Sequence, residues 1–327
     1  PIRATLQISD TQLSLLHGFA FAIFYTVLGI PIARYADRLD RTRIIAVGIV
    51  VWSTMTALCG LARNFGQLFL ARVGVGVGEA ALSPAAYSIL GDYFQGPALT
   101  RALSVYTTAI SIGAGLALMI GGAVIARVQP MDLPLVGHLE PWQVVFLFVG
   151  LPGLLVATLM RTVREPARTG LAAGSRPGEG FPLGEVLGQL RARAGAYGFA
   201  IAGYSAAALL WNGATAWIPT FFIRQFGWTP AEVGLRFGAV LASALAHRGQ
   251  SDANLRVGVL SQLLIVPAGL LAPLAGEPGA ALAIFAGFCF AGSMPYGAAG
   301  AALMKITPNQ MRAQLTAIYF LFINLAG

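Results

Sequence analysis

Ten apolar runs govern what this chain can become. They lie at about 12–33, 44–62, 65–90, 102–126, 142–160, 196–223, 233–246, 257–275, 280–304 and 313–327. Most reach the ~20 residues a helix needs to cross the hydrocarbon of a bilayer. They are continuous and lack the two-residue alternation of a membrane β-barrel, so they predict helices. Only 10% of the 327 residues are charged and the mean hydropathy is +0.72. A soluble chain is nearer one quarter charged, which makes lipid the solvent for most of this one. The fold class expected is therefore an all-α polytopic membrane protein.

The distribution of charge sets an orientation. If the loops alternate sides, one side carries 15 of the cations, from Arg34, Arg38, Arg41 and Arg43 through the 161–194 stretch to Lys305 and Arg312, and the other carries four, Arg3, Arg63, Arg127 and Arg224. The positive-inside rule makes the basic side cytoplasmic. The net charge of +8 is thus spent on topology, and nucleic acid is not an expected partner. The Gly-, Arg- and Pro-rich stretch 161–194 reads as a cytoplasmic linker between an N-terminal helical bundle at 1–160 and a C-terminal one at 195–327. Within it, "FPLGEVLGQLRAR" has the one-sided apolar pattern of a helix lying in the membrane interface. Five runs precede the linker and five follow it. A six-plus-six arrangement requires one more helix at each end and a longer seventh. The short basic loops "ARYADRLDRTRIIAVG" and "ALAHRGQSDANLRVGVL" form a faint internal repeat.

Two charges sit inside the third run, Arg72 and Glu79 in "FLARVGVGVGEAALSPAAYSIL". Each costs about 2.5–3.5 kcal/mol at a helix centre even on an insertion scale. Seven residues turn a helix through about 700°, so the two side chains leave nearly the same face, about 10.5 Å apart along the axis. Loss of water favours a neutral carboxyl and a nearby guanidinium favours a carboxylate. A site balanced between the two is suited to bind and release a proton, so Glu79 is the expected proton carrier and Arg72 its modulator. An anionic substrate head group competing for Arg72, or a static ion pair, are the other readings. Gly74, Gly76 and Gly78 leave this helix thin enough for close packing.

The loop "GIPIARYADRLDRTR", Gly29 to Arg43, resembles the G-x-x-x-D-R-x-G-R-R/K signature of the major facilitator superfamily. Asp37, Arg38 and Arg41 fill signature positions, while Ala33, Asp40 and Thr42 depart from it. The resemblance implies two six-helix bundles and a conformational latch, in which Asp37 meets the N-terminus of the helix beginning near Met311. The stretches from Ser9 to Arg38 and Arg72 to Phe94, with "HRGQSDANLRV", are similar to the spinster branch of that superfamily. This implies a proton-coupled carrier of amphipathic or lipid-like substrates, of the lysophospholipid or sphingosine-1-phosphate class, in a bacterial inner membrane. It also implies Arg72 and Glu79 on the fourth helix. "SIGAGLALMIGG" partly matches the superfamily's antiporter motif through Gly113, Gly121 and Gly122.

Polar and aromatic residues in the helices expected to line a central cavity are Phe24, Tyr106, Ser111, Tyr204, Trp211, Asn212, Trp217, Tyr296 and Tyr319. The expected partners are a small-molecule or lipid substrate, protons and membrane lipids, with the protein monomeric. No metal-spaced cluster, nucleophilic triad or strand-borne glycine loop is present, so neither a cofactor nor an enzyme is expected. Cys59 and Cys289 fall in separate apolar runs and suggest no disulfide framework. Export of drug-like molecules or uptake of an organic solute is the rival within the class. An uncoupled lipid scramblase or channel, or a non-transporting receptor, are rivals outside it.

Overall fold

The computed structural model describes residues 2–134, 136–169, 182–236, 267, 271–289, 307–308 and 311–326. Helices dominate: α1 (Ile2–Leu6), α2 (Asp10–Ser14), α3 (Ala20–Ala36), α4 (Arg41–Leu61), α5 (Phe65–Glu79), α6 (Leu82–Tyr93) and α7 (Pro97–Arg127). A small antiparallel hairpin follows, β1 (Met131–Leu133) with β2 (Gly137–Leu139), pairing Met131 with Leu139. Then come α8 (Pro141–Leu159), α9 (Leu183–Ala192), α10 (Ala194–Phe226), α11 (Pro278–Cys289) and α12 (Arg312–Ala326). Among the described residues five segments are long and apolar enough to cross a membrane: Arg41–Leu61, Phe65–Tyr93, Pro97–Arg127, Pro141–Thr162 and Ala194–Phe226. The runs expected at 233–246, 257–275 and 280–304 fall largely outside the described residues.

Local chemistry accounts for the ends of the helices. Asn64 accepts the N–H of Gln67 at 2.9 Å to start α5, and Asp40 accepts that of Arg43 at 3.1 Å to start α4. Ser9 and Gln12 form a reciprocal capping box at α2. Two interruptions matter for function. A π-turn over Leu15–Phe19 joins α2 to α3. The single apolar run Phe65–Tyr93 breaks at Ala80–Ala81, directly after Glu79. The cause is Pro84. It has no N–H to give to the carbonyl of residue 80, and its ring crowds that carbonyl.

The chain divides into two compact units. One holds 1–93, 127–193 and 307–325; the other holds 94–126, 194–306 and 326–327. In the first, α4 packs against both α5 and α8. A Cβ on Gly78 would lie 2.6 Å from the Trp52 backbone nitrogen and 2.9 Å from the Gly48 oxygen, so α4 and α5 touch backbone to backbone. The second unit has an aromatic core in which Phe222 stacks on Trp228 at 4.5 Å, with Phe285 beside them. It also contains a tight crossing, where a Cβ on Gly234 would come within 2.8 Å of the Leu118 oxygen. The helix expected at the membrane interface is present as α9, which buries Val186 and leaves most of its other side chains exposed.

Replacing Gly78 with Val forces α4 and α5 apart, and overpacking of this kind costs about 1–3 kcal/mol. Thermal unfolding of purified protein in detergent should show the variant melting below wild type. Equal melting would mean the α4–α5 contact is looser than described.

Candidate functional site

Two groups of charged residues stand apart from the apolar background, and both lie in the first unit. The first is the α5 pair. From Phe65 to Glu79 the helix rises roughly 21 Å, well over half the hydrocarbon thickness. Glu79 is half-buried and is the last residue before the break. Arg72 lies two turns earlier, and Glu79 lies within reach of its charge. Among the described residues Arg72 has no carboxylate at ion-pair distance, and Glu79 has no ion-pair or hydrogen-bond partner. Instead the Arg72 Nε–H donates to the Leu16 carbonyl at 3.4 Å. The π-turn makes that carbonyl available: Ala20 N–H donates to Leu15 rather than to Leu16. Arg72 also lines a small cavity of about 90 Å³ with Ile2, Leu13, Leu16, Leu68 and Phe146. Its guanidinium thus sits in an apolar wall, and among the described residues only its Nε–H has an acceptor.

The second group surrounds the α3–α4 turn. Asp37 ends α3 and is 1% exposed. Its Oδ1 accepts the N–H of Ala313 and its Oδ2 that of Gln314, each at 3.2 Å. These are first-turn donors of α12 that have no partner within their own helix. The carboxylate also meets the positive end of the α12 dipole. Burial pushes the Asp37 carboxyl from 3.8 up to about 7; hydrogen bonds from the Gln314 side chain and both backbone N–H groups, and the charge of Arg168, pull the other way.

Arg41, fully buried, is the centre of this group. It bonds Asp92 Oδ2 and Glu165 Oε1 at 2.6 Å each, and Ser88 Oγ at 2.8 Å. Asp92, buried at the end of α6, also lies 3.7 Å from Arg312 Nη1 and accepts from the N–H and hydroxyl of Thr169 at 3.1 Å. Glu165 Oε2 accepts the backbone N–H groups of Arg41 and Thr42, which open α4. Gly91 admits Arg312, because a Cβ there would lie 2.9 Å from its Nη1. Asp40, which stands where the signature has glycine, serves as the N-cap of α4, and Ala33 is fully buried in the other glycine position.

The remaining expected site residues differ in exposure. Arg38 is exposed. Phe24 on α3 and Tyr106 on α7 are half-buried. Asn212 is exposed and Trp217 is 69% exposed on α10, whereas Tyr319 is buried on α12 against Phe320, with ring centres 5.3 Å apart. Tyr296 and the side chains of Ser111, Tyr204 and Trp211 lie outside the described residues. Sequence reasoning missed Asp92, Glu165, Arg168 and Arg312 as members of one cluster. Asp92 carried a signal, a lone carboxylate near the end of an apolar run; the other three read as ordinary loop charges.

The Major Facilitator Superfamily profile matches residues 1–327. A Mycolicibacterium smegmatis protein described as an MFS-type efflux pump is 30% identical over 99% of this chain and 75% of its own length. Human protein spinster homolog 1 is 30% identical over 68% of this chain and 41% of its own. The chain thus spans three quarters of the first relative and under half of the second. Among solved structures, a bacterial homologue of the human lysosomal transporter spinster, inward-facing and unoccupied, is similar at TM-score 0.72 and 29% identity. The match covers 100% of this chain and 74% of that one.

Removing one partner of a buried ion pair leaves the other uncompensated, at about 3–5 kcal/mol. Arg41→Ala should therefore lower the unfolding temperature far more than Arg38→Ala, which removes an exposed charge. Similar melting of the two variants in a detergent thermal scan would contradict the buried cluster.

Proposed function

This chain belongs to the major facilitator superfamily, and from that premise we propose a proton-coupled secondary transporter that works by alternating access. It would sit as a multi-pass protein in a bacterial inner membrane, with bundles at 1–160 and 195–327 joined through 161–194. One observation carries the coupling: Glu79 lies deep in an apolar span, at a break in its helix, with no ion-pair partner among the described residues. Discontinuous helices are where such carriers place their ion sites, because a break frees backbone groups and admits water. A carboxyl held there takes a proton when exposed to one side and yields it when exposed to the other. Arg72, on the same face, sets how readily it does so.

Asp37 supplies the second part of the cycle. Its grip on the first turn of α12 is a latch at the cytoplasmic end, with Arg41 keeping the α3–α4 turn in place beside it and Arg38 facing solvent. Phe24, Tyr106, Ser111, Tyr204, Trp211, Asn212, Trp217, Tyr296 and Tyr319 are proposed to line the substrate path. The substrate is an amphipathic or lipid-like molecule. The Arg72 guanidinium in an apolar wall suits an anionic head group next to a hydrocarbon chain, and the similarity to spinster proteins supports the same class. A second reading, movement of drug-like or organic solutes, is favoured by the similarity over nearly the whole chain to the mycobacterial efflux pump.

Glu79→Gln separates coupling from folding. The variant should purify as a monodisperse protein that still binds lysophospholipid in a thermal-shift assay. Reconstituted in liposomes, it should lose uptake driven by a pH gradient. Gradient-driven uptake equal to wild type would overturn the role of Glu79. Stabilisation by organic solutes alone would favour the second reading.

A further inference from the structure

The stretch after α8 has the composition of a loose linker, yet its first residues are fastened to the latch. Arg168 Nη2 donates to the carbonyls of Ala36 at 2.9 Å and Leu39 at 2.8 Å, which flank Asp37 in the chain. Glu165 binds the opening N–H groups of α4, and Pro166 accepts from Arg41 Nη2 at 3.4 Å. The Tyr93 hydroxyl donates to the Arg164 carbonyl at 2.6 Å, and Thr169 binds Asp92. Both helix dipoles that meet in the α3–α4 turn are therefore complemented from one short segment. A guanidinium meets the carbonyl end of α3 and a carboxylate meets the N–H end of α4. Among the described residues Arg168 has no carboxylate at ion-pair distance and its Nη1 has no partner, so its charge is not neutralised by a direct contact.

We propose that residues 164–169 are a strap belonging to the closing device, and that Arg168 is a positioning residue which aims the Asp37 carboxylate at α12 and sustains its charge there. The inference rests on the latch reading above and adds a dependence on the connecting segment. Among the described residues Arg168 is the charge that acts on Asp37; Arg168 in turn feels Arg41 at the head of α4, Glu165 in the strap and Asp92 at the end of α6, and Arg312 on α12 lies 3.7 Å from Asp92.

The direction of the pH effect follows from linkage. A latched Asp37 holds its proton up to about 7, against an ordinary 3.8 once released. The latched state therefore binds more protons between those values. Acid favours it, and it weakens as pH rises towards about 7 and then levels off. Removing the Arg168 charge should carry the levelling point upward by roughly one pH unit.

Hydrogen–deuterium exchange of the full-length protein in nanodiscs reads this directly. Peptides spanning 311–320 report the Ala313 and Gln314 amides, with intrinsic exchange corrected at each pH. Arg168→Gln keeps N–H donors for the two carbonyls but loses the charge, and should move the levelling point up. Arg168→Lys keeps the charge and should leave it near wild type. Asp37→Asn should flatten the profile. If Arg168→Gln changes protection by one factor at every pH, without moving the levelling point, Arg168 only holds the backbone and the proposal fails. If Asp37→Asn keeps the wild-type profile, the latch reading itself fails, whatever Arg168 does.

Discussion

The Arg41 guanidinium is the junction on which the charged end of this molecule depends. A fully buried cation is tolerable only when its charge and its N–H groups are met. Asp92 and Ser88, both on α6, and Glu165, from the segment after α8, meet them. Their convergence fixes the end of α6, the exit of α8 and the start of α4 relative to one another. Asp37 lies just before this junction, and its carboxylate is aimed by what the junction holds still. The energetic logic is that of an interior without water: every partner that is supplied removes a large penalty, and every partner withheld restores it.

Much of the fold was legible in the sequence, because lipid imposes one simple rule. A chain in hydrocarbon must satisfy its backbone internally, so an apolar run of sufficient length reads as a helix. The runs at 44–62 and 142–160 correspond closely to α4 and α8. The third run illustrates the limit. Hydropathy saw one span from residue 65 to 90, whereas the structure has two helices hinged at Ala80–Ala81. The signal was Pro84, but its effect falls four residues earlier, on a carbonyl that hydropathy does not weigh.

The charged cluster was harder to read for a different reason. Asp37 and Arg41 are recognisable because they fall in a short contiguous signature. Glu165 and Arg312 are separated from Arg41 by 124 and 271 residues in the chain, and nothing local distinguishes them from charges that merely sit in a loop. The 161–194 stretch was read from composition as a linker, and composition carries no information about which of its side chains find partners. Asp40 shows the converse. In the sequence it is a departure from the signature; in the structure it does ordinary work as a helix cap.

The π-turn at Leu15–Phe19 has a consequence for registry. One extra residue is wound into that turn, so the chain before it is rotated by about 100° relative to an uninterrupted helix. Deleting a single residue there would bring the two stretches back into phase. With the deletion between Leu16 and Ala20, the Phe21 N–H would take the Leu16 carbonyl and strip Arg72 of its acceptor, although no residue that touches Arg72 had changed its identity. The setting of a charge deep in the span is thus written partly in the winding of a neighbouring helix.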